Sequence, residues 1–215
     1  MRTAILVSGR GSNMTALLNA AADPAFPAEI VLVVSNRPDA GALDRAAMAG
    51  IETAVVDHKA FASREAFEDA LDRVLRVHGV ELVCLAGFMR VLTAEFVGHW
   101  QGRMINIHPS LLPSFRGLHT HERALAEGVR VHGCSVHFVV PELDAGPLIV
   151  QAAVPVHARD TADRLAARVL AAEHEAYPLA LRLVASGRAR LDGHRCVVDA
   201  ADAEGRLMSP IDRSA

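Results

Sequence analysis

The sequence predicts an α/β protein with a doubly wound, mostly parallel sheet and an antiparallel hairpin towards its C-terminal end. Short apolar runs alternate along the chain with segments whose apolar residues recur at helical spacing, a pattern typical of a parallel sheet covered by helices. Near the C-terminal end, two apolar runs at 134–140 and 148–156 are joined by a loop rich in proline and glycine. That arrangement favours a hairpin with a longer connection.

Composition sets the size and class of the protein. The 215 residues are 51% hydrophobic, enough for one large domain, and we expect a domain over 1–190 followed by a short strand and a polar tail over 191–215. The formal net charge is -3, with both signs interspersed. Without a basic stripe, nucleic acid is not an expected partner, and a small metabolite is favoured.

Compartment is predicted from cysteines and hydropathy. Three scattered cysteines (Cys84, Cys134 and Cys196) lack CxxC spacing, as expected for reduced thiols in the cytosol. No apolar run approaches the roughly 18 residues of a spanning helix, and the N-terminus runs directly into a glycine turn rather than forming a signal peptide. We therefore expect a cytoplasmic protein that does not bind membranes.

The first strand is expected over 3–7, and it leads into a glycine turn at 8–13 and then a helix. Gly9 and Gly11 allow close backbone approach, while Ser12 or Asn13 can cap the helix, so the turn suits an anion. A tight turn without a ligand also explains the pattern. The dinucleotide fingerprint is incomplete, because Met14 stands where a third glycine is needed. A single phosphate monoester therefore suits the turn better than NAD or ATP.

The middle of the chain predicts a helix around 41–50, strands at 53–56 and 80–87, and a longer helix between these strands. Arg64 lies near the start of that longer helix, where a charge is by itself typical of a solvated surface. The segment 88–92 is unusually apolar for a loop that follows a strand. It is either core or the wall of a pocket for a flat apolar ligand. Thr93 is expected to cap the next helix.

A pair of polar residues ends the following strand. Asn106 and His108 are two positions apart and share one face of an extended strand, which Pro109 then stops. The carboxyl edge of an open parallel sheet is where ligands usually bind. Asp144, in the hairpin loop, is either a turn former or a carboxylate that returns to His108.

Four further histidines raise the question of a metal site. They do not match HExxH, CxxC or a compact His–carboxylate set, so we expect no metal and a structural or hydrogen-bonded role. The four are His119, His121, His132 and His137.

A long helix is expected over 161–186, with Pro178 bending or breaking it. Glu173 lies beside the apolar face of this helix, where an unpaired carboxylate would be costly. It must therefore meet a partner in the protein or a ligand. One more strand is expected within 189–198, with a polar tail from Asp199.

Five stretches carry a resemblance to a known family. In order, they are Ser8-Gly-Arg-Gly-Ser-Asn13, Leu85-Ala-Gly-Phe-Met-Arg90, Asn106-Ile-His-Pro-Ser-Leu-Leu-Pro113, Gly117-Leu-His-Thr-His121 and Leu143-Asp-Ala-Gly-Pro147. Together they resemble the phosphoribosylglycinamide formyltransferases, a branch of the 10-formyltetrahydrofolate-dependent formyltransferases, over about 3–190. The Asn–His–Asp set alone indicates only the wider family.

The resemblance implies a Rossmann-like fold and transfer of a formyl group from 10-formyltetrahydrofolate, as co-substrate, to the amine of glycinamide ribonucleotide in purine biosynthesis. It implies a ribonucleotide half at about 1–100, a catalytic and folate-binding half at about 101–190, and a monomer or homodimer. The ribonucleotide positions would be Gly11, Ser12, Asn13 and Glu173. The folate positions would be Arg64, Met89, Arg90, Val91, Leu92 and Asn106.

The implied catalytic residues, Asn106, His108 and Asp144, suit this chemistry. An amine that attacks a formamide carbonyl creates an oxyanion, which preorganised donors must stabilise. Asn106 offers an N–H donor, and His108 can donate to the oxyanion and move a proton to the leaving nitrogen. A carboxylate at Asp144 favours the protonated imidazole. No serine or cysteine nucleophile is needed.

Three alternatives remain at this point. Methionyl-tRNA formyltransferases use the same formyl donor, and Ser114-Phe-Arg116 resembles their sequence at the equivalent position. They are, however, expected to add a C-terminal RNA-binding domain. Formyltetrahydrofolate deformylases use water as acceptor and usually carry an N-terminal regulatory domain. A non-catalytic phosphosugar- or folate-binding module would show no turnover.

Overall fold

The computed structural model describes residues 1–201 and 207–209. The strands of the main sheet are β1 (Arg2–Val7), β2 (Glu29–Ser35), β3 (Thr53–Val55), β4 (Leu82–Leu85), β5 (Met104–His108), β6 (Val131–Phe138) and β7 (Leu148–Pro155). The helices are α1 (Ser12–Ala21), α2 (Gly41–Met48), α3 (Arg64–Val77), α4 (Ala94–His99), α5 (Thr120–Ala126) and α6 (Ala162–Ala185), with a 3-10 turn at His58–Ala60.

The seven strands form one sheet in the order β3-β2-β1-β4-β5-β6-β7. Strands β1 to β5 pair in parallel, whereas β6 pairs antiparallel with both β5 and β7. This confirms the doubly wound, mostly parallel sheet and the antiparallel hairpin. The strand order reverses between β1 and β4, so the carboxyl ends of these two strands lie side by side at the switch point where such sheets bind ligands.

Alternate residues of each strand face the two helical layers, as period-two geometry requires. In β1, Ile5 and Val7 are in the core that also contains apolar residues of α1, α2, α5 and α6. Ala4 and Leu6 face the second core, which contains residues of α3 and α4. Because both faces are covered, the sheet exposes only its edges and the loops at its strand ends.

The structure corrects two local predictions. Of the two effects expected of Pro178, a break does not occur, because helix α6 continues through it; a proline removes only one backbone hydrogen bond, and α6 packs against α1, β6 and β7. The stretch 189–198 is not one strand but two, β8 (Ala189–Asp192) and β9 (Arg195–Val198), which form a separate antiparallel sheet. Gly193, with φ +58, allows the tight turn between them.

Of the predicted polar tail, 199–201 and 207–209 are described, and the remaining positions lie outside the described residues. Within that described part, none of the helices has both the length and the apolar character that a bilayer crossing requires.

Candidate active site

Asn106 and His108 are the third and the last residues of β5, which lies beside β6 in the sheet. The β5–β6 register pairs Asn106 with His137 and His108 with Ser135. The loop between β6 and β7 then returns Asp144 to this edge, where its Oδ2 lies 3.4 Å from Nδ1 of His108. Both side chains are only 8% exposed. The structure thus brings together the three residues that the sequence singled out.

The hairpin loop can approach so closely because residue 146 is glycine. A Cβ atom at Gly146 would overlap the carbonyl oxygen of Phe138 in β6. Asp144 itself has φ +49, a conformation that aspartate tolerates better than most residues, and its Oδ2 accepts a 2.9 Å hydrogen bond from the N–H of Gly117. Asp144 is therefore both a turn residue and a fixed partner of His108.

The two ring nitrogens of His108 both face acceptors. Nδ1 faces the carboxylate of Asp144, and Nε2 lies 3.0 Å from the carbonyl oxygen of Phe115. Only the doubly protonated ring can donate at both nitrogens. The geometry therefore suits an imidazolium that holds a proton for transfer.

His137 is a member of this site that the sequence did not identify. Its Nδ1 lies 2.9 Å from the carbonyl oxygen of Phe138, and its Nε2 lies 3.2 Å from Nδ2 of Asn106. Burial lowers the pKa of His137, although the backbone carbonyl and Asp144 oppose this shift. A neutral ring that donates from Nδ1 must accept at Nε2, so it fixes the Asn106 amide with its N–H groups on this side. Cross-strand pairing was the only signal that could have found it.

We refer to Asn106, His108, His137 and Asp144 as the polar cluster. His119, His121 and His132 lie outside it. Among the described residues, no group of three or more histidine, cysteine or carboxylate side chains is arranged to hold a metal ion.

The glycine turn 8–13 leads into helix α1, whose N-terminus has no side-chain cap. Gly11 is the N-cap of α1 with φ +76, and no side chain caps the helix, so the prediction that Ser12 or Asn13 caps it is wrong. Both are instead the first residues of the helix, because left-handed Gly11 ends the turn. The N–H groups of Ser12, Asn13 and Met14 donate to no acceptor in the described residues. Such free donors at a helix N-terminus suit an anion.

Glu173 meets this turn from α6. Its Oε2 accepts a 2.6 Å hydrogen bond from Nδ2 of Asn13. Burial raises the pKa of Glu173, and the Asn13 hydrogen bond partly opposes the shift. Asn13 Oδ1 is buried without a protein partner. The structure thereby brings Glu173, which is far away in sequence, to the turn that contains Gly11, Ser12 and Asn13.

The segment 88–92 is partly core, which was one of the two alternatives left open by the sequence. Phe88 and Leu92 are buried in the second core, whereas Met89 and Val91 are 67% and 57% exposed. Arg90 is intermediate, and its Nε is buried without a partner. One side of the segment is therefore core, and the other side exposes apolar side chains.

Arg64 is exposed at the first position of α3 and has no hydrogen bond or ion pair among the described residues. It lies one helical turn before Glu68, whose carboxylate contacts Thr93 just beyond the 88–92 segment. Residues four apart share a helix face. Arg64 is thus on the side of α3 that faces the segment, although no direct contact joins the two.

The Ser114-Phe-Arg116 stretch links two loops of the site. Arg116 Nη1 lies 2.9 Å from Oε1 of Glu142, so the loop after β5 is linked to the loop that carries Asp144. Both side chains are largely exposed, and the ion pair adds little stability. The main link between the loops is the Gly117–Asp144 hydrogen bond.

These features lie at the switch point of a Rossmann-like sheet, the edge at which such folds bind ligands. The chain matches the formyl transferase family over residues 1–181, and it belongs to that family.

Individual relatives show which members of the family the chain is similar to. The phosphoribosylglycinamide formyltransferase of Escherichia coli (strain K12) is 45% identical over 199 residues, covering 93% of this chain and 94% of that protein. The trifunctional purine biosynthetic protein adenosine-3 of Gallus gallus is 54% identical over 187 residues, which are 87% of this chain but 19% of that protein. The chain therefore spans about a fifth of the length of that relative.

The crystal structure of glycinamide ribonucleotide transformylase 1 from Symbiobacterium toebii superposes with a TM-score of 0.89 at 45% identity. The superposition covers 93% of this chain and 94% of that one. The fold is thus shared along most of both chains.

Proposed function

We propose that the protein transfers the formyl group of 10-formyltetrahydrofolate to the amine of glycinamide ribonucleotide, as a step of purine biosynthesis. The observation that carries this proposal is the position of three features at one sheet edge. The glycine turn follows β1, the 88–92 segment follows β4, and the polar cluster ends β5, and these three strands are adjacent. This arrangement supports the proposal that a phosphosugar site and an apolar wall lie next to a proton-transfer group.

The reaction forms a C–N bond between the substrate amine and the formyl carbon and breaks the bond from that carbon to N10 of the folate. Charge develops on the formyl oxygen in the tetrahedral intermediate, and Asn106 and His108 donate to it. The attacking amine loses a proton, and N10 gains one as it leaves. His108, beside Asp144, carries the proton between them.

The carbonyl of Phe115 lies at Nε2 of His108, the nitrogen that points away from Asp144. We propose that substrate takes this position during turnover, so that Nε2 donates to the reacting atoms rather than to the loop. Because Asp144 keeps its contact with Nδ1, the ring retains its orientation when the acceptor at Nε2 changes. In the same way, the contact with His137 keeps the side-chain amide of Asn106 in its orientation.

The ribonucleotide phosphate would bind the free N–H groups at the start of α1. A dianionic phosphate there gains from the helix dipole and from direct hydrogen bonds. Glu173 and the unpaired Oδ1 of Asn13 would accept hydroxyl groups of the ribose. This assignment explains why a carboxylate is buried beside an apolar helix face.

The folate would lie on the 88–92 segment. Met89 and Val91 offer an apolar surface for a flat ring, and the N–H groups of Arg90, Val91 and Leu92 donate to no acceptor in the described residues. Free backbone groups beside an apolar surface suit a heterocycle with polar edges. Arg64 and Asn106 complete the proposed set, with the exposed guanidinium placed for a carboxylate of the folate tail.

We further propose that 1–190 act as one formyltransferase domain, with the ribonucleotide held mainly by 1–100 and catalysis carried out by 101–190. Both parts contribute strands to the same sheet. The proposed folate site draws on both parts, because Arg64 and the 88–92 segment precede residue 101. As partners we propose only the two small substrates, for a cytoplasmic monomer or homodimer that binds no nucleic acid or membrane.

The test follows folate absorbance with pure protein and 10-formyltetrahydrofolate, with and without glycinamide ribonucleotide. The proposal predicts deformylation that depends on the ribonucleotide. Equal release in both tubes would indicate a hydrolase and contradict the proposal. No change in either tube would indicate a binding module and contradict it as well.

A further inference from the structure

The 88–92 segment is held at its beginning by a buried side chain of the glycine turn. The N–H of Met89 donates a 2.8 Å hydrogen bond to Oγ of Ser8, and Ser8 in turn donates to Oδ1 of Asn36 at 2.6 Å. Ser8 and Asn36 are 5% and 2% exposed. Because Ser8 is the first residue of the glycine turn, this bond joins that turn directly to the segment.

A second buried side chain holds the other end. The carboxylate of Glu68, in α3, accepts a 2.9 Å hydrogen bond from the N–H of Thr93 and a second, short one from the Thr93 hydroxyl. Glu68 is 3% exposed and has no ion pair among the described residues. A buried carboxylate needs such donors, so Thr93 is its principal partner. Thr93 Oγ1 also accepts from the N–H of Phe96 and caps α4.

Between these two anchors, the structure shows no hydrogen bond from the backbone N–H groups to any other described residue. The N–H groups of Arg90, Val91 and Leu92 donate to no acceptor within the described part of the chain. Leu92 and Phe88 are buried. Their burial holds the segment against the core, but it does not fix the direction of the peptide groups. The orientation of the free N–H groups therefore depends on the Ser8 and Glu68 contacts.

We infer that Ser8 and Glu68 are positioning residues, which hold the 88–92 segment in the conformation that receives the folate, and that Ser8 also couples this segment to the phosphosugar site. This inference rests on the proposed function, because it takes the segment as the folate site. Neither side chain touches the reacting atoms. Their loss should change substrate affinity and leave the rate of the chemical step intact.

The sharpest test changes Thr93 in two ways. Thr93→Val keeps the shape and the backbone N–H but removes the hydroxyl that serves Glu68 and caps α4, whereas Thr93→Ser keeps that hydroxyl. Loss of a hydrogen bond to a buried charge predicts a KM for 10-formyltetrahydrofolate raised about tenfold in Thr93→Val. We expect kcat and the KM for the ribonucleotide to stay within about twofold, and Thr93→Ser to behave as the wild type.

Helix capping needs a matched control. Thr161 caps α6 through a hydrogen bond from the N–H of Arg164, so Thr161→Val removes an equivalent cap at a distance from the 88–92 segment. Each cap is worth about 1 kcal/mol, a change of about fivefold in the folding equilibrium. Thr161→Val should lower the melting temperature less than Thr93→Val does, because only Thr93 also serves the buried Glu68, and it should alter neither KM.

Ser8→Ala tests the coupling. It leaves the Met89 N–H without its acceptor, so the KM for 10-formyltetrahydrofolate should rise about fivefold, and the KM for the ribonucleotide about twofold to threefold. A rise in the folate KM alone would overturn the coupling part of the inference. Unchanged KM values in both Ser8→Ala and Thr93→Val would overturn all of it.

Binding of tetrahydrofolate by calorimetry separates this inference from the proposed function. If the wild-type protein binds tetrahydrofolate but transfers nothing to glycinamide ribonucleotide, the proposed reaction is wrong, and affinities of the variants still decide the positioning roles. About tenfold weaker binding in Thr93→Val, with normal binding in Thr93→Ser and Thr161→Val, supports the inference. Equal affinity in all four proteins contradicts it, as does a wild type that does not bind tetrahydrofolate.

Discussion

The polar cluster and the 88–92 segment follow neighbouring parallel strands, yet they are held in different ways. In the cluster, His108 and Asp144 are buried against each other, and His137 fixes Asn106 from the adjacent strand. The segment has no strand partner, is held at its two ends, and exposes Met89 and Val91. The groups that we propose to act on reacting atoms are thus fixed by one another, whereas the groups that we propose to cover a ligand are left accessible. Substitutions in the cluster should affect kcat, and substitutions in the segment should affect KM.

The largest expected effect comes from His108→Ala. Removing a donor to the oxyanion and the proton carrier should lower kcat about 1000-fold. Binding of glycinamide ribonucleotide, measured by calorimetry, should be retained, because His108 is not among the residues proposed to hold the phosphate and ribose. A variant that loses ribonucleotide binding as well would contradict the separation of the two roles.

Asp144→Asn should have the next largest effect. The amide keeps the size of the side chain but removes the negative charge beside Nδ1 of His108, and we expect kcat to fall about 100-fold near neutral pH. Ribonucleotide binding should again be unchanged. If this variant kept full activity near neutral pH, the role of Asp144 in favouring the charged imidazole would be wrong.

Gly11→Ala addresses the phosphosugar side of the same edge. A Cβ atom at Gly11 would lie 2.7 Å from Cβ of Ala42, and the backbone has φ +76. The start of α1 must therefore shift, and we expect the KM for the ribonucleotide to rise about 30-fold with a loss of about 1–2 kcal/mol in stability. Gly41→Ala is the control, because a Cβ there meets nothing within 4 Å. Equal ribonucleotide KM values in both variants would refute the phosphate site.

Acid should destabilise the folded protein through His132, whose ring packs against those of Phe115 and His121. Burial lowers the pKa of His132 to about 4, and His121 adds to the shift. An unfolded histidine titrates near pH 6.5, so the unfolded state binds the proton first. The stability from the neutral ring is complete above about pH 6.5 and is lost as pH falls towards 4.

This shift predicts that unfolding free energy falls by about 2 kcal/mol between pH 7.5 and pH 5 because of His132. Urea unfolding at both pH values measures it, with His132→Gln as the comparison that cannot titrate. The drop should be smaller in His132→Gln by about that amount. The same drop in both proteins would show that His132 is not responsible.

The smallest effect is expected from the exposed side chains of the 88–92 segment. Met89→Ala and Val91→Ala each remove apolar contact area with the proposed folate, and the KM for 10-formyltetrahydrofolate should rise about threefold to tenfold. Both side chains are largely exposed, so kcat and the melting temperature should not change. A fall in kcat without a change in KM would contradict the prediction that the segment affects KM and the polar cluster affects kcat.

The sequence predicted those parts of the site that depend on local periodicity. Asn106 and His108 were placed on one strand face by their spacing, and Glu173 was identified because a carboxylate beside an apolar face needs a partner. That partner, Asn13, is 160 residues away and could not be derived from the residues alone. Only the family resemblance placed both at one site.

Features that depend on pairing between distant elements were missed. His137 is fixed to Asn106 by the register of β5 with β6, and the Ser8–Met89 bond exists because β1 and β4 are neighbours in the sheet. Neither spacing nor composition encodes these neighbours. The uncapped start of α1 was missed for a different reason, because the left-handed conformation of Gly11 replaced the side-chain cap that Ser12 or Asn13 was expected to provide.

The central claim is that the glycine turn and the 88–92 segment bring two substrates to the polar cluster, where a formyl group passes directly between them. The most direct measurement follows an isotopic label in the formyl group of 10-formyltetrahydrofolate, with glycinamide ribonucleotide present, in the wild type and in His108→Ala. We predict that the label appears on the ribonucleotide amine in the wild type, and about 1000-fold more slowly in the variant. Label released as free formate, at a rate independent of the ribonucleotide, would contradict the claim.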